Sequence, residues 1–179
     1  MPASRLKLTL LRMDRIEGPW CLKINRAGHY LPVRALFATV SRLGDGIFWY
    51  GLMMLLPVLY GFEGLVVSLK MGVVGFVGLY FYKYVKSRTS RPRPFKACDE
   101  IADWVPPLDA FSFPSGHTLH AVAFTVLVVS FQPAFGWVLI PFTTLVAMSR
   151  VVLGLHYPSD VLMGASAGVL FSSLCLWMW

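Results

Sequence analysis

Acidic residues are scarce in this chain: nine Asp and Glu stand against 16 Lys and Arg in 179 residues, and charged residues make up only 14%. So small a charged fraction argues against an ordinary water-soluble domain. The balance of +7 suits anionic lipid head groups or phosphate better than nucleic acid in so apolar a chain. Cysteine is scarce too. Cys21, Cys98 and Cys175 are odd in number and sit in three different contexts, without the close spacing of a zinc or thiol–disulfide site, so they read as unpaired. Internal repeats and low-complexity tracts are missing. So is the apolar core of a cleavable signal peptide, because MPASRLKLTLLRMDRIEGPW is interrupted by Arg5, Lys7, Arg12, Asp14, Arg15 and Glu17. Membrane insertion is therefore expected to use segments of the mature fold.

What the chain has is oil. Hydrophobic residues make up 56%, aromatic residues 15%, and the mean hydropathy is +0.63. The expected fold class is all-α, an integral membrane helical bundle. Five apolar runs approach the roughly 20 residues a helix needs to cross a bilayer, at about 46–62, 64–82, 117–135, 136–155 and 158–178. Lys70 interrupts the second and reads as a side chain that snorkels to the nearer interface. The tight joints at Gly61–Gly64 and Gln132-Pro133 predict antiparallel hairpins in one bundle. Residues 1–45 are expected to form an N-terminal interfacial segment and 46–179 the membrane domain. Within the first part, LPVRALFATVSRL at 31–43 carries Leu31, Val33, Leu36, Phe37, Val40 and Leu43 in a helical stripe, the pattern of an amphipathic helix on the interface. Residues 83–113 form the one long polar connection, stiffened by its RPRP and VPP stretches, and a loop of that length is usually functional or disordered.

The hairpin count brings three polar clusters to one membrane face: Lys86 to Arg93 after the second span, Pro114 to His117 before the third, and Ser149 to Asp160 between the fourth and fifth. Lys86, Arg93 and Arg150 are cations suited to phosphate oxygens, guanidinium in a bidentate fork. Ser115 and Gly116 open a helix, where backbone N–H groups and the helix dipole favour an anion. His117 in that first turn is placed to exchange a proton. His156 precedes Pro158, and Asp160 is near enough to accept from one imidazole nitrogen and leave the other as nucleophile. Such a set makes a phosphotransfer site with no metal and no cofactor.

Three stretches, Lys86-(SRTSRP)-Arg93-Pro94, Pro114-Ser115-Gly116-His117 and Ser149-Arg150-(VVLGL)-His156-(YPS)-Asp160, carry a family resemblance. They match K-x6-R-P, P-S-G-H and S-R-x5-H-x3-D, in order. The chain over about 46–178 thus resembles the type 2 phosphatidic acid phosphatase superfamily, the lipid phosphate phosphatases related to vanadium haloperoxidases. The resemblance implies that His156 attacks phosphorus to form a phosphohistidine, that Asp160 orients it, and that His117 protonates the departing lipid alcohol. Lys86, Arg93, Ser115, Gly116 and Arg150 would hold the phosphate oxygens. Family members usually have six spans, and here the first looks to be replaced by the interfacial helix.

Several other polar groups have plainer readings. Lys83, Arg88, Arg91 and Lys96 read as interface anchors as readily as site groups. His120, three residues after His117, lacks the carboxylates or cysteines that would complete a metal shell. His29, Trp104, Trp137, Trp177 and Trp179 read as interfacial residues. The expected function is hydrolysis of a phosphorylated membrane lipid, with undecaprenyl diphosphate ahead of phosphatidylglycerophosphate and phosphatidic acid. Vanadate-dependent halide oxidation is disfavoured because those relatives are soluble, and a non-catalytic binder of anionic lipid would need no His117, His156 or Asp160. The expected location is a bacterial inner membrane. The positive-inside rule would place the cation-rich motif face in the cytoplasm, whereas the resemblance places the site on the extracytoplasmic face with the N-terminus on the same side, and that is the expectation adopted.

Overall fold

In a computed structural model the described residues are 5–179, so the first four residues of the expected N-terminal segment lie outside them. Among the described residues every regular element is helical. The order is α1 (Arg5–Asn25), α2 (Leu31–Arg42), α3 (Phe48–Thr89), α4 (Pro94–Ala97), α5 (Gly116–Phe131), α6 (Gly136–Val152) and α7 (Pro158–Met178).

Pro32 falls in the first turn of α2, where a missing N–H costs nothing. From there the chain runs through a π turn, Leu43–Ile47, straight into α3. The striped residues Phe37 and Val40 are buried, Phe37 in a cluster with Val152, Leu153 and Leu155 at the end of α6. Only that part of the stripe faces the bundle, since Leu31, Leu36 and Leu43 are exposed.

α3 is two helices joined at a reversal. Gly61 has φ 58° and ψ −133°, a conformation open to glycine, and it turns the chain back on itself. The Ser68 hydroxyl donates to the Met53 carbonyl across the joint at 2.7 Å. The hairpin expected from Gly61–Gly64 is thus present. With residues 48–60 and 62–89 as its two arms, and with α5, α6 and α7, five apolar helical stretches result. By length and hydropathy, the stretch 31–97 and the helices Pro133–Val152 and Pro158–Met178 suffice to cross a membrane, while Gly116–Phe131 is shorter. Outward side chains are apolar, with Val58 81%, Phe62 79%, Trp137 88% and Trp177 84% exposed. A surface this oily is a lipid-facing surface. The chain is a multi-pass membrane protein.

The core holds Trp49, Leu56, Met71, Leu127, Leu139 and Val146, with Phe48, Trp49, Phe124 and Phe142 meeting edge-on or tilted. α5 and α7 pack closely, since a Cβ at Gly164 would lie 2.4 Å from the Ser115 carbonyl oxygen. Small residues let helices approach in this way, and here the approach fixes the start of α5 against the start of α7. Lys70 donates to the Trp179 carbonyl at 3.0 Å from an exposed position, away from the motif residues. Trp104 differs from Trp137 and Trp177 in being packed between elements: His29 meets it edge-on and the Arg34 guanidinium lies 5.0 Å above its ring.

Candidate active site

Three chain breaks build the site. α3 ends at Ser90, which adopts a left-handed conformation (φ 48°) and donates its N–H to the Lys86 carbonyl at 2.9 Å. Pro92 and Pro94 follow and forbid further helix. The next strand of loop is held by Ser112, whose N–H donates to the Arg91 carbonyl and whose hydroxyl donates to that of Pro92. α5 opens on Ser115, whose Oγ accepts from the Thr118 N–H and meets the Thr118 hydroxyl at 2.9 Å. Between α6 and α7 the backbone N–H groups of Leu155 and His156 both return to the Arg150 carbonyl at 3.0 Å. α7 then starts at Pro158, with the Asp160 carboxylate accepting from the Tyr157 N–H at 2.8 Å.

These breaks enclose a cavity of about 420 Å³. One end is polar, lined by Lys86, Arg93, Gly116, His117, Arg150 and His156; the other is apolar, lined by Trp49, Met53, Met71, Phe76 and Phe124. At the polar end the His156 ring is buried. Its Nε2 lies 3.4 Å from Arg93 Nη1 and its Nδ1 lies 3.6 Å from the Asp160 carboxylate. That second separation is a charge contact and slightly too long for a hydrogen bond. Burial, then the charges of Arg150, Arg93 and Lys86, hold the imidazole well below its usual pKa. His156 is therefore neutral at ordinary pH, with a lone pair available. Arg150 is buried as well: one Nη donates to Ser41 Oγ at 2.5 Å, and Nε has no hydrogen-bond partner among the described residues. His117 is paired through Nε2 with Asp45, from the π turn before α3.

A carboxylate stands among the cations. Asp109 accepts from Lys86 Nζ at 2.6 Å and from Arg93 Nη2 at 2.8 Å. Burial pushes its carboxyl up, but the hydrogen bonds and charges of Lys86 and Arg93 outweigh that and hold it below the usual range. It thus sits on two of the cations expected from the sequence to hold phosphate. Asp109→Asn is accordingly expected to tighten binding of orthovanadate or inorganic phosphate several-fold in a competition titration. Weaker binding would mean instead that Asp109 serves to hold the two cations in place.

Of the residues expected from sequence, Lys86, Arg93, Gly116, His117, Arg150 and His156 line one cavity, and Asp160 lies directly behind His156. Ser115 does not line it; its hydroxyl is engaged with Thr118. His120 bonds the Gly75 carbonyl on the facing helix and stacks on Phe124. Sequence reasoning missed Asp45 and Asp109 altogether. Arg91, grouped there with interface anchors, is 2% exposed and pairs with Asp14, Glu17 and Asp160. A partial signal existed for it: Asp14 and Glu17 are three residues apart and share a helix face.

A sequence model of the PAP2 superfamily matches residues 46–179. The undecaprenyl-diphosphatase BcrC of Bacillus subtilis is 35% identical over 91 residues, which cover 51% of this chain and 47% of that protein. The chain spans about half the length of the curated relatives it matches first. Among solved structures, LpxE of Aquifex aeolicus superposes with a TM-score of 0.78 at 22% identity, over 90% of this chain and 94% of that one. The transmembrane PAP2 type phosphatidylglycerolphosphate phosphatase of Bacillus subtilis superposes with a TM-score of 0.71 at 22% identity, over 96% and 94%. At that identity the likeness is one of fold.

Proposed function

The chain belongs to the PAP2 superfamily, and from that premise we propose that it is a metal-independent lipid phosphatase that works through a phosphohistidine on His156. One observation carries the proposal: the cavity has Lys86, Arg93 and Arg150 around the buried His156 at one end and is lined by Trp49, Met53, Met71, Phe76 and Phe124 at the other. A phosphate on an apolar tail fits such a shape, and a soluble sugar phosphate does not.

The chemistry follows from the residues. Lys86, Arg93 and Arg150, with the N–H groups opening α5 at Gly116, bind the phosphoryl oxygens and stabilise the charge that develops in the transition state. His156 Nε2 attacks phosphorus, forming a P–N bond as the P–O bond to the lipid breaks. Asp160 balances the positive charge that grows on the ring. His117 gives its proton to the leaving oxygen, then takes one from a water molecule that attacks the phosphohistidine, releasing inorganic phosphate and freeing His156. Asp45, paired with Nε2 of His117, holds that ring in place at the cavity wall.

The proposed substrate is a polyprenyl diphosphate, undecaprenyl diphosphate first, on the strength of the similarity to the undecaprenyl-diphosphatase BcrC of Bacillus subtilis. Phosphatidylglycerophosphate is the second candidate. The test is phosphate release from these two lipids and phosphatidic acid in detergent with excess EDTA. Release from undecaprenyl diphosphate should exceed the others and survive the chelator; complete loss on chelation, restored by a divalent ion, would overturn the metal-independent mechanism.

The site is proposed to face away from the cytoplasm in a bacterial inner membrane. That orientation follows the family resemblance and runs against the positive-inside rule, since of the 16 Lys and Arg eight precede residue 46, six lie in 83–96 and Arg150 joins them, with α1 held against Arg91 on the site face. Lys96 is exposed. Lys96→Cys in a background without Cys21, Cys98 and Cys175 should react with an impermeant maleimide in intact spheroplasts. Reaction only after lysis would put the site in the cytoplasm and make phosphatidylglycerophosphate the better substrate.

A further inference from the structure

We infer that Arg91 is a positioning residue for the reaction, that it acts through Asp160, and that helix α1 belongs to the catalytic apparatus because Asp14 and Glu17 hold Arg91 there. The inference rests on the phosphohistidine reading of the same site.

Arg91 does not line the cavity, so it is not a phosphate contact. Its guanidinium instead has a carboxylate on each of its edges. Nη1 donates to Asp160 Oδ1 at 2.5 Å and to Ser159 Oγ at 2.8 Å, Nε donates to Asp14 Oδ1 at 2.8 Å, and Nη2 donates to Glu17 Oε2 at 2.8 Å. The plane of the group lies over the Tyr157 ring, 4.0 Å from its centroid. A planar fork with this many fixed donors has little freedom left.

The effect on Asp160 is specific. Oδ1 is held by Arg91, and Oδ2 accepts from the Tyr157 N–H, so the carboxylate plane is fixed and Oδ2 is the oxygen that faces His156 Nδ1. Glu17 supplies a second hold, because Oε1 accepts from the Ser159 N–H at 2.9 Å and Oε2 from the Ser159 hydroxyl at 2.7 Å. One carboxylate on α1 thus grips both Arg91 and the first turn of α7. Residues 5–25 lie before the stretch that the family model matches, yet they fix the group that orients the nucleophile. Such outer hydrogen bonds set the tautomer and aim of a reacting imidazole.

Removing Arg91 outright would leave buried carboxylates without a counter-charge, so softer changes make the better test. The full-length protein, labelled with ¹⁵N at its four histidines, is compared in micelles as wild type, Glu17→Gln, Asp14→Asn, Asp160→Asn and Glu17→Gln with Asp160→Asn. His156→Ala assigns the ring resonances. The expected result is that Glu17→Gln and Asp14→Asn each move the His156 ring nitrogens part of the way towards their positions in Asp160→Asn. The kcat of Glu17→Gln should fall by about 10- to 100-fold, the range for partners that orient a reacting group, with KM unchanged. In the Asp160→Asn background Glu17→Gln should have no further effect, as required of a residue that acts through Asp160. Unmoved His156 resonances in both soft variants, a raised KM at constant kcat, or full additivity with Asp160→Asn would overturn the inference. A wild-type protein that releases no phosphate would sink the phosphatase reading instead, and the ring resonances would still decide whether Arg91 orients His156 through Asp160.

Discussion

His156→Ala is expected to reduce phosphate release by at least about 10⁴-fold, because loss of a nucleophile leaves only binding and charge stabilisation behind. The side chain is buried at the polar end of the cavity with Nε2 among the cations and Nδ1 towards Asp160, and no other imidazole has that placement: His117 is paired with Asp45, and His120 bonds a backbone carbonyl. Asp160→Asn should cost less. It keeps the shape and the acceptor for the Tyr157 N–H while removing the charge that balances the imidazolium. Initial rates on purified variants of matched thermal stability check both. Equal residual activity in His156→Ala and wild type would remove the histidine from the mechanism.

The second large effect is expected at His117, and it should depend on the leaving group. His117 lines the cavity in the first turn of α5 and pairs with Asp45. If it protonates the departing oxygen, His117→Ala should lower kcat by about 10²- to 10⁴-fold for a lipid monoester, whose alkoxide is a poor leaving group. For p-nitrophenyl phosphate the penalty should be much smaller, since the phenolate leaves without help. A diphosphate lies between, because its leaving group is itself a phosphate. An equal loss on all three would mean that His117 binds or positions substrate and does not act as the acid.

The sequence made the motif residues legible for a local reason and a global one. Locally, Lys86 with Arg93, Ser149 with Arg150 and His156 with Asp160 stand at short fixed spacings on helix ends. Globally, counting hairpins forces those ends to one face, and the joint at Gly61 is where the reversal was expected. Carboxylates whose partners are far away in sequence were not legible. Arg91 reaches Glu17 across 74 positions and His117 reaches Asp45 across 72, and no periodicity connects such pairs. Asp109 was hidden for another reason: nothing in a proline-stiffened loop shows which acidic residue folds back over the cations. For Ser115 the local rule was informative but pointed elsewhere, since a serine before a helix is first of all a cap, and Thr118 accounts for its hydroxyl.

The reaction path through a P–N bond is tested most directly by quenching turnover of ³²P-labelled lipid substrate within milliseconds and following the label on the protein. A phosphohistidine predicts label that survives alkali, is lost in mild acid, maps to the peptide containing His156 and is absent from His156→Ala. Label that resists acid, maps to another residue, or persists in His156→Ala would contradict it.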